Sequence, residues 1–362
     1  MRGMVAMLEG IGENFGLGEN PLRKPVTTEY FRSLRQVERP AGNAGSDKNA
    51  GRNRVWSGRG YGGMLTFDDF DAWGEVVRGA DLRLACDGVE TPQWRLAFRH
   101  VGPVVLQFGD EGGGNLCFGG NNHQGTLLWM PLGEPGHQVA NCERCDHGSV
   151  LVIPPGADFS IQVRKRAHAW CSIALPGTTS AGDRGSPSHV VHADPLDVRR
   201  LTNLITRVVA APEVDLVSPS VAEGLSQRLL AAASACLAQT VAPGTSLGRP
   251  KIERAEVVRR IVTALDADPM SGRSIADLAT EAGVTTRTLG RVFSDTFGVS
   301  PRRYVQLRRL HTVRRALRGG DPHDDTVARV LARHGIWELG RFAGSYRRQF
   351  GESPSDTLYR RG

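Results

Sequence analysis

Gly283-Val-Thr-Thr-Arg-Thr-Leu-Gly-Arg-Val-Phe293, followed by Phe297-Gly-Val-Ser-Pro301, decides how the last third of this 362-residue chain folds. Gly283 comes just after the apolar positions Ile275, Leu278 and Ala279, where a left-handed cap lets a helix end and the chain reverse. Thr285 or Thr286 can cap the next helix. Its Leu289, Val292, Phe293 and Phe297 recur at the spacing of one buried face. Gly298 ends that helix and Pro301 starts another, with Tyr304, Leu307, Leu310 and Val313 at helical spacing. The stretch reads as helix, tight turn, helix.

The pattern returns further on. Ile275-x2-Leu278-Ala279-x3-Gly283 is matched by Val327-x2-Val330-Leu331-x3-Gly335, displaced by 52 residues. Phe293-x3-Phe297-Gly298-x2-Pro301 is matched by Tyr346-x3-Phe350-Gly351-x2-Pro354, displaced by 53. The second helix of each unit then points Thr286, Arg287, Gly290 and Arg291, or Leu339, Gly340, Arg341 and Gly344, away from its core. Such a helix fits the DNA major groove with its N-terminal half at the base edges. The alternative is a plain helical bundle with arginines outside. It fits poorly, because both copies keep the turn glycine, the aromatic pair and the Gly-x-x-Pro stop.

Charge follows the same division. Lys251 to Gly362 holds 21 Lys and Arg against 13 Asp and Glu, and 20 of the 21 are Arg. The rest of the chain holds 24 basic and 25 acidic residues, so the whole excess of +7 lies in the tail. Arginine suits forked contacts with phosphates and guanine edges.

These stretches, with Phe297-Gly-Val-Ser-Pro-x2-Tyr-x3-Arg-Arg-Leu and Tyr346-Arg-Arg-Gln-Phe-Gly-Glu-Ser-Pro-Ser, resemble the AraC/XylS family of bacterial transcription regulators. The likeness spans essentially all of Lys251 to Gly362. It implies a seven-helix module placing two recognition helices in successive major-groove faces of promoter DNA. The candidate DNA-contacting residues are Thr285, Thr286, Arg287, Gly290, Arg291, Leu339, Gly340, Arg341 and Gly344. Two departures bear on this. Ile336 stands where the family usually has Phe, and Trp337 is bulky for a helix entry. Gly340 and Gly344 present no side chain and weaken a helix by about 1 kcal/mol each relative to Ala. The first unit is therefore expected to read sequence and the second to hold the backbone, with Arg341 its best contact.

Upstream, residues 1–54 are poorly patterned. From Val55 to about residue 180, strand-length apolar runs alternate with turns: Leu82-Arg-Leu-Ala-Cys86, Trp94-Arg-Leu-Ala-Phe98, Val104-Val-Leu-Gln-Phe108, Thr126-Leu-Leu-Trp-Met130, Val150-Leu-Val-Ile153 and Phe159-Ser-Ile-Gln-Val163. This predicts a sandwich or barrel, with aromatics such as Trp56, Trp94, Trp129 and Trp170 mostly in its core. Gly148-Ser-Val-Leu-Val-Ile-Pro-Pro-Gly-Ala-Asp-Phe159 resembles the cupin-like effector domains that precede such tails. That likeness implies a small β-barrel able to hold a small molecule. The fold class expected is α+β. Residues 181–241 read as a helical dimerisation segment, in which Val221, Leu225, Leu229, Ala233, Cys236 and Leu237 form a stripe that is either core or dimer seam. Residues 242–250 read as a linker.

Other chemistries find little footing. A metal cupin enzyme needs a His and carboxylate cluster, and His100, His123, His137 and His168 stand apart. No catalytic residue and no cofactor is expected. Cys142-Glu-Arg-Cys145-Asp-His147 alone has metal-ligand spacing, but four tetrahedral ligands are not in view. The other readings are a polar loop between strands and a thiol pair that senses redox state. No long apolar run or export signal is present, so a cytoplasmic protein without membrane contact is expected, its cysteines reduced. The function expected is sequence-specific transcription regulation, as an activator of a catabolic operon responding to a small-molecule effector. Promoter DNA, RNA polymerase and a second copy of the chain are the partners. The alternative is an effector-independent regulator whose barrel is only a dimerisation scaffold.

Overall fold

Among the described residues, strands and one short helix run up to residue 192 and helices follow, in a computed structural model that describes residues 65–67, 70–77, 80–88, 94–132, 138–163, 168–177, 186–210, 218–238, 254–268 and 272–360. The 1–54 segment, the 242–250 linker, Trp56 and His137 lie outside the described residues. The strands are β1 (Leu65–Phe67), β2 (Ala80–Cys86), β3 (Trp94–Val101), β4 (Val104–Glu111), β5 (Asn115–Asn121), β6 (Leu127–Leu132), β7 (Gln138–Ala140), β8 (Glu143–Arg144), β9 (Ser149–Ile153), β10 (Asp158–Val163), β11 (His168–Ala174) and β12 (His189–His192). The helices are α1 (Phe70–Gly74), α2 (Pro195–Ala210), α3 (Pro219–Ala238), α4 (Arg254–Ala267), α5 (Ile275–Glu281), α6 (Thr286–Phe297), α7 (Pro301–Arg318), α8 (Val327–Arg333), α9 (Leu339–Phe350) and α10 (Pro354–Tyr359).

The expected barrel is not closed. The strands form a seven-stranded sheet, ordered β1-β3-β4-β11-β6-β9-β12, and a five-stranded sheet, ordered β2-β5-β10-β7-β8. The two pack face to face through Trp94, Leu96, Trp129, Leu151 and Trp170 on one side and Cys117, Phe159 and Ile161 on the other. Pro154-Pro155-Gly156 therefore joins strands of different sheets, with Gly156 at φ +77. The class is α+β.

Both outer faces are also covered. Val104, Leu106, Leu128 and Met130 of the large sheet meet Leu201, Ile205 and Val208 of α2 and Leu229, Ala233 and Cys236 of α3. These last three are at most 1% exposed within one chain. That part of the α3 stripe is core, and no longer available as a dimer seam. On the small sheet, Ala85, Leu116 and Phe118 join the core of α4 to α7. Four layers follow: a helix pair, two sheets, and the C-terminal helices. Each interface is apolar, and burial at roughly 25 cal/mol per Å² of apolar surface is what holds such layers together.

Candidate nucleic-acid interface

The tail has seven helices among the described residues, α4 to α10, arranged as two helix-turn-helix units joined by α7. Gly283, Gly298, Gly335 and Gly351 all take positive φ, between 64° and 72°, so each reversal uses the left-handed conformation that glycine adopts freely. Between Thr285 and Thr286, it is Thr285 that caps α6, its hydroxyl accepting from the Thr288 N–H at 3.1 Å. Leu289, Val292, Phe293 and Phe297 are buried as the spacing required. Phe293, Phe297 and Tyr304 form an aromatic triad, the last two stacked at 4.6 Å.

Of the nine expected contact residues, Thr285, Thr286, Arg287 and Arg291 are exposed in the first unit, with Gly290 half-buried. Nothing lies within 4 Å of where a Gly290 Cβ would stand. In the second unit Leu339, Gly340 and Arg341 are exposed and Gly344 is half-buried. The α9 entry differs from that of α6: Glu338 is the N-cap and makes no side-chain cap bond. Glu338 instead pairs with Arg341 at 3.2 Å, both largely exposed.

Sequence reasoning missed what holds this module to the sandwich. Asp71 of α1, buried, faces His311 of α7 at 3.1 Å and Arg314 at 3.8 Å. The backbone N–H of Cys86 donates to His311 Nε2 at 3.1 Å, which leaves Nδ1 to carry the proton toward Asp71. Burial works against ionisation of Asp71, but His311, then Arg314 and Arg315, outweigh it and hold the carboxyl below its ordinary value. Gln349 of α9, also buried, donates to the carbonyls of Cys86 at 2.7 Å and Gly88 at 2.9 Å. Arg303 of α7 donates to Asp87 at 2.7 Å and to Gln349 Oε1 at 2.7 Å. The end of β2 thus grips α7 and α9 together. Nearer the first unit, the side chain of Gln162 on β10 packs where a Gly298 Cβ would stand, at 2.1 Å. No periodicity announces such contacts, since they join positions up to 263 residues apart.

The Cys142 to His147 loop does not gather its ligands. Cys142 Sγ lies 3.6 Å from Thr296 Oγ1 of α6. Cys145 is buried, which pushes its thiol up to about 11, and His147 is exposed. Among the described residues no three His, Cys, Asp or Glu side chains are grouped to hold a metal ion. Nor is any described helix long and apolar enough to cross a membrane.

Comparison with known proteins agrees with this geometry. A helix-turn-helix domain family matches residues 278–360. The chain is 34% identical over 112 residues to the "Probable thc operon regulatory protein" of Rhodococcus erythropolis, covering 31% of this chain and 34% of that one. It is 32% identical over 113 residues to the XylDLEGF operon transcriptional activator of Pseudomonas putida, covering 31% and 33%. The chain thus spans about a third of the length of these curated relatives. Among solved structures, a probable AraC family transcriptional regulator from Rhodopseudomonas palustris is 31% identical, with 28% of this chain and 94% of that chain covered and a TM-score of 0.26. The likeness to these operon regulators, of the AraC/XylS type, is confined to the C-terminal third of the chain and its two helix-turn-helix units.

Proposed function

We propose that the chain is an effector-responsive regulator that reads promoter DNA chiefly with α6, and whose DNA-binding module is set by the state of its β-sandwich. One observation carries this reading: α1 and β2 face a sandwich cavity on one side and hold the module on the other. Trp73, Leu82 and Leu84 line the cavity, while Asp71, Cys86 and Asp87 on or beside the same two elements bind α7 and α9.

The cavity is about 60 Å³, lined mainly by aromatic and aliphatic side chains. A drug-sized ligand needs several times that space, so an effector must displace Trp73 or the β2 leucines to enter. Displacing them moves the elements that grip α7 and α9, which links effector binding to the module. Gln107, Glu111, Asn115 and Ser172 are the polar side chains of the lining, and two of them set the chemistry. Glu111 is buried, which pushes it up to about 8 and keeps its carboxyl protonated at neutral pH. Asn115 donates to Glu111 at 2.9 Å, and its Oδ1 is buried without a hydrogen-bond partner. This suits a small apolar molecule carrying one hydrogen-bond donor. A thermal-shift screen of aromatic alcohols and amides tests it. Hits should raise the Tm, lose their effect in Asn115→Leu, and change DNA affinity in the wild-type chain. Hits that leave DNA affinity unchanged would favour the effector-independent scaffold.

Glu111 also gives a pH signature. Its folded value lies above its ordinary 4.5, so its favourable contribution is whole below that pH. It is lost as pH rises toward 8, at about 1.4 kcal/mol per unit. Glu111→Gln should flatten this limb in denaturant titrations run from pH 5 to 8.

Activation of an operon, contact with RNA polymerase, pairing of two copies and a cytoplasmic location belong to the same proposal. The names of the two curated relatives, an operon regulatory protein and an operon transcriptional activator, support the first of these alone. Transcription from the DNA adjoining the gene, with and without the chain, checks the sign of regulation.

A further inference from the structure

Between the two helix-turn-helix units runs a groove of about 820 Å³. Arg273, just before α5, forms one wall; Arg302 and Arg309 of α7 form its floor; Trp337, Glu338 and Arg341, at the entry to α9, form the other. Arg302, Gln306 and Arg309 fall at spacings of four and three, so α7 turns one continuous stripe toward the groove. Four of the lining side chains are cationic and one is anionic.

Trp337 is the odd member. It is 77% exposed, whereas Trp73, Trp94, Trp129 and Trp170 are each 5% exposed or less. An indole left in water forgoes a large burial gain, and no part of the described chain covers it. The ion pairs around it are weak restraints: Arg341–Glu338 and Arg273–Glu281 both lie on the surface, where such pairs contribute little. Both arginines can exchange partners at small cost.

The position says what covers the groove. If α6 and α9 enter successive major-groove windows about one helical turn apart, the duplex between them presents a minor groove flanked by two sugar–phosphate strands. Whatever lies between the units must meet that surface, and this groove lies there. We propose that it seats the sugar–phosphate backbone between the two windows. The indole of Trp337 packs on deoxyribose, and Arg273, Arg302 and Arg309 meet phosphates. The inference rests on the chain binding duplex DNA as proposed above. An acidic protein surface would also suit the arginines. But Arg341 belongs both to the groove wall and to the exposed face of α9, so the occupant of the groove adjoins the bound duplex. The second unit thereby gains a contact that the side-chain-poor face of α9 does not supply.

The test uses the full chain and a duplex it selects from a randomised library. Trp337→Ala should lower affinity roughly tenfold and erase hydroxyl-radical protection between the two windows. The preferred sequence should not change, because sugar and phosphate carry no base identity. Trp337→Phe should recover most of the loss. Arg302→Ala should reduce the slope of log affinity against log salt by about 1. An unchanged thermal midpoint shows that Trp337→Ala is folded, as its exposure leads one to expect. If the wild-type chain binds its duplex and Trp337→Ala binds equally with the same footprint, the groove assignment is overturned alone. If the wild-type chain selects no duplex, the DNA-binding reading and the groove fall together.

Discussion

The two helix-turn-helix units share a motif but not a mode of attachment. The first buries Phe293, Phe297 and Tyr304 completely and shares its core with Ala85, Leu116 and Phe118 of the small sheet. The second keeps Tyr346 fully buried but leaves Phe342 and Phe350 half-buried around it. It meets the sandwich through the polar links of Gln349, with Arg303 and His311 of the joining helix α7 beside it. An apolar seam cannot open without exposing surface, at roughly 25 cal/mol per Å². A hydrogen bond contributes about 1 kcal/mol net, and a buried one can open at that cost only where water or another partner replaces it. If the β-sandwich responds to an effector as proposed, the apolar seam holds the first unit to it, and the second is the one such a response would move.

The strongest way to break this contrast is to cut the polar grip. Asp71→Ala leaves buried His311 without its carboxylate, while Arg314 keeps Glu352 at 3.4 Å, and should cost about 3 kcal/mol in denaturant unfolding. Hydrogen exchange should rise in α9 and α10 while α5 and α6 stay protected. Equal loss in both units would show that they form one rigid body. Acid gives the same test in milder form. Asp71 titrates below its ordinary value, so its contribution is present above about pH 4 and fades as acid protonates it. Asp71→Asn should remove that dependence.

The next effect concerns reading. Arg287→Ala or Arg291→Ala should cost about 1–3 kcal/mol on a selected duplex and blur preference within one window. Arg341→Ala should cost less, since Arg341 gives up its pairing with Glu338 to reach DNA. Equal loss of Arg287→Ala on selected and random duplexes would make Arg287 a phosphate contact only.

How far these features were legible depends on range. The repeat was, because each Gly-x-x-Pro stop and buried aromatic is decided within a turn or two. The strands around Trp94, Val104 and Val150 were, because they are rich in β-formers. β5 was not among the runs picked out, its Gly119 and Gly120 being poor strand formers, yet Gly119 is a strand residue over which Leu82 and Phe159 close, at 2.7 and 3.0 Å from where its Cβ would stand. The closed barrel failed for a related reason. With helices on one sheet and the DNA-binding module on the other, nearly every residue of β4, β5 and β9 is buried. The alternation that would assign each face is lost. Asp71 and His311 are ordinary residues in their own segments, and only the fold brings them together.

The smallest effects fall on the helix entries. Thr285→Ala removes the cap of α6 and should cost about 1 kcal/mol, whereas Glu338→Ser offers α9 a cap it lacks and should recover a similar amount. Gly340→Ala and Gly344→Ala should each stabilise α9 by up to about 1 kcal/mol. A Cβ at Gly340 meets nothing within 4 Å, and at Gly344 only the Arg348 guanidinium at 3.6 Å. The informative result is the pairing of stability with affinity. If these alanines raise the denaturant midpoint and leave DNA affinity unchanged, the glycines are a weak point of α9 with no part in binding. If stability rises while affinity falls, the bare face of α9 is what lets its backbone lie close against the duplex. The second unit then grips through the absence of side chains there, and through the groove beside Trp337.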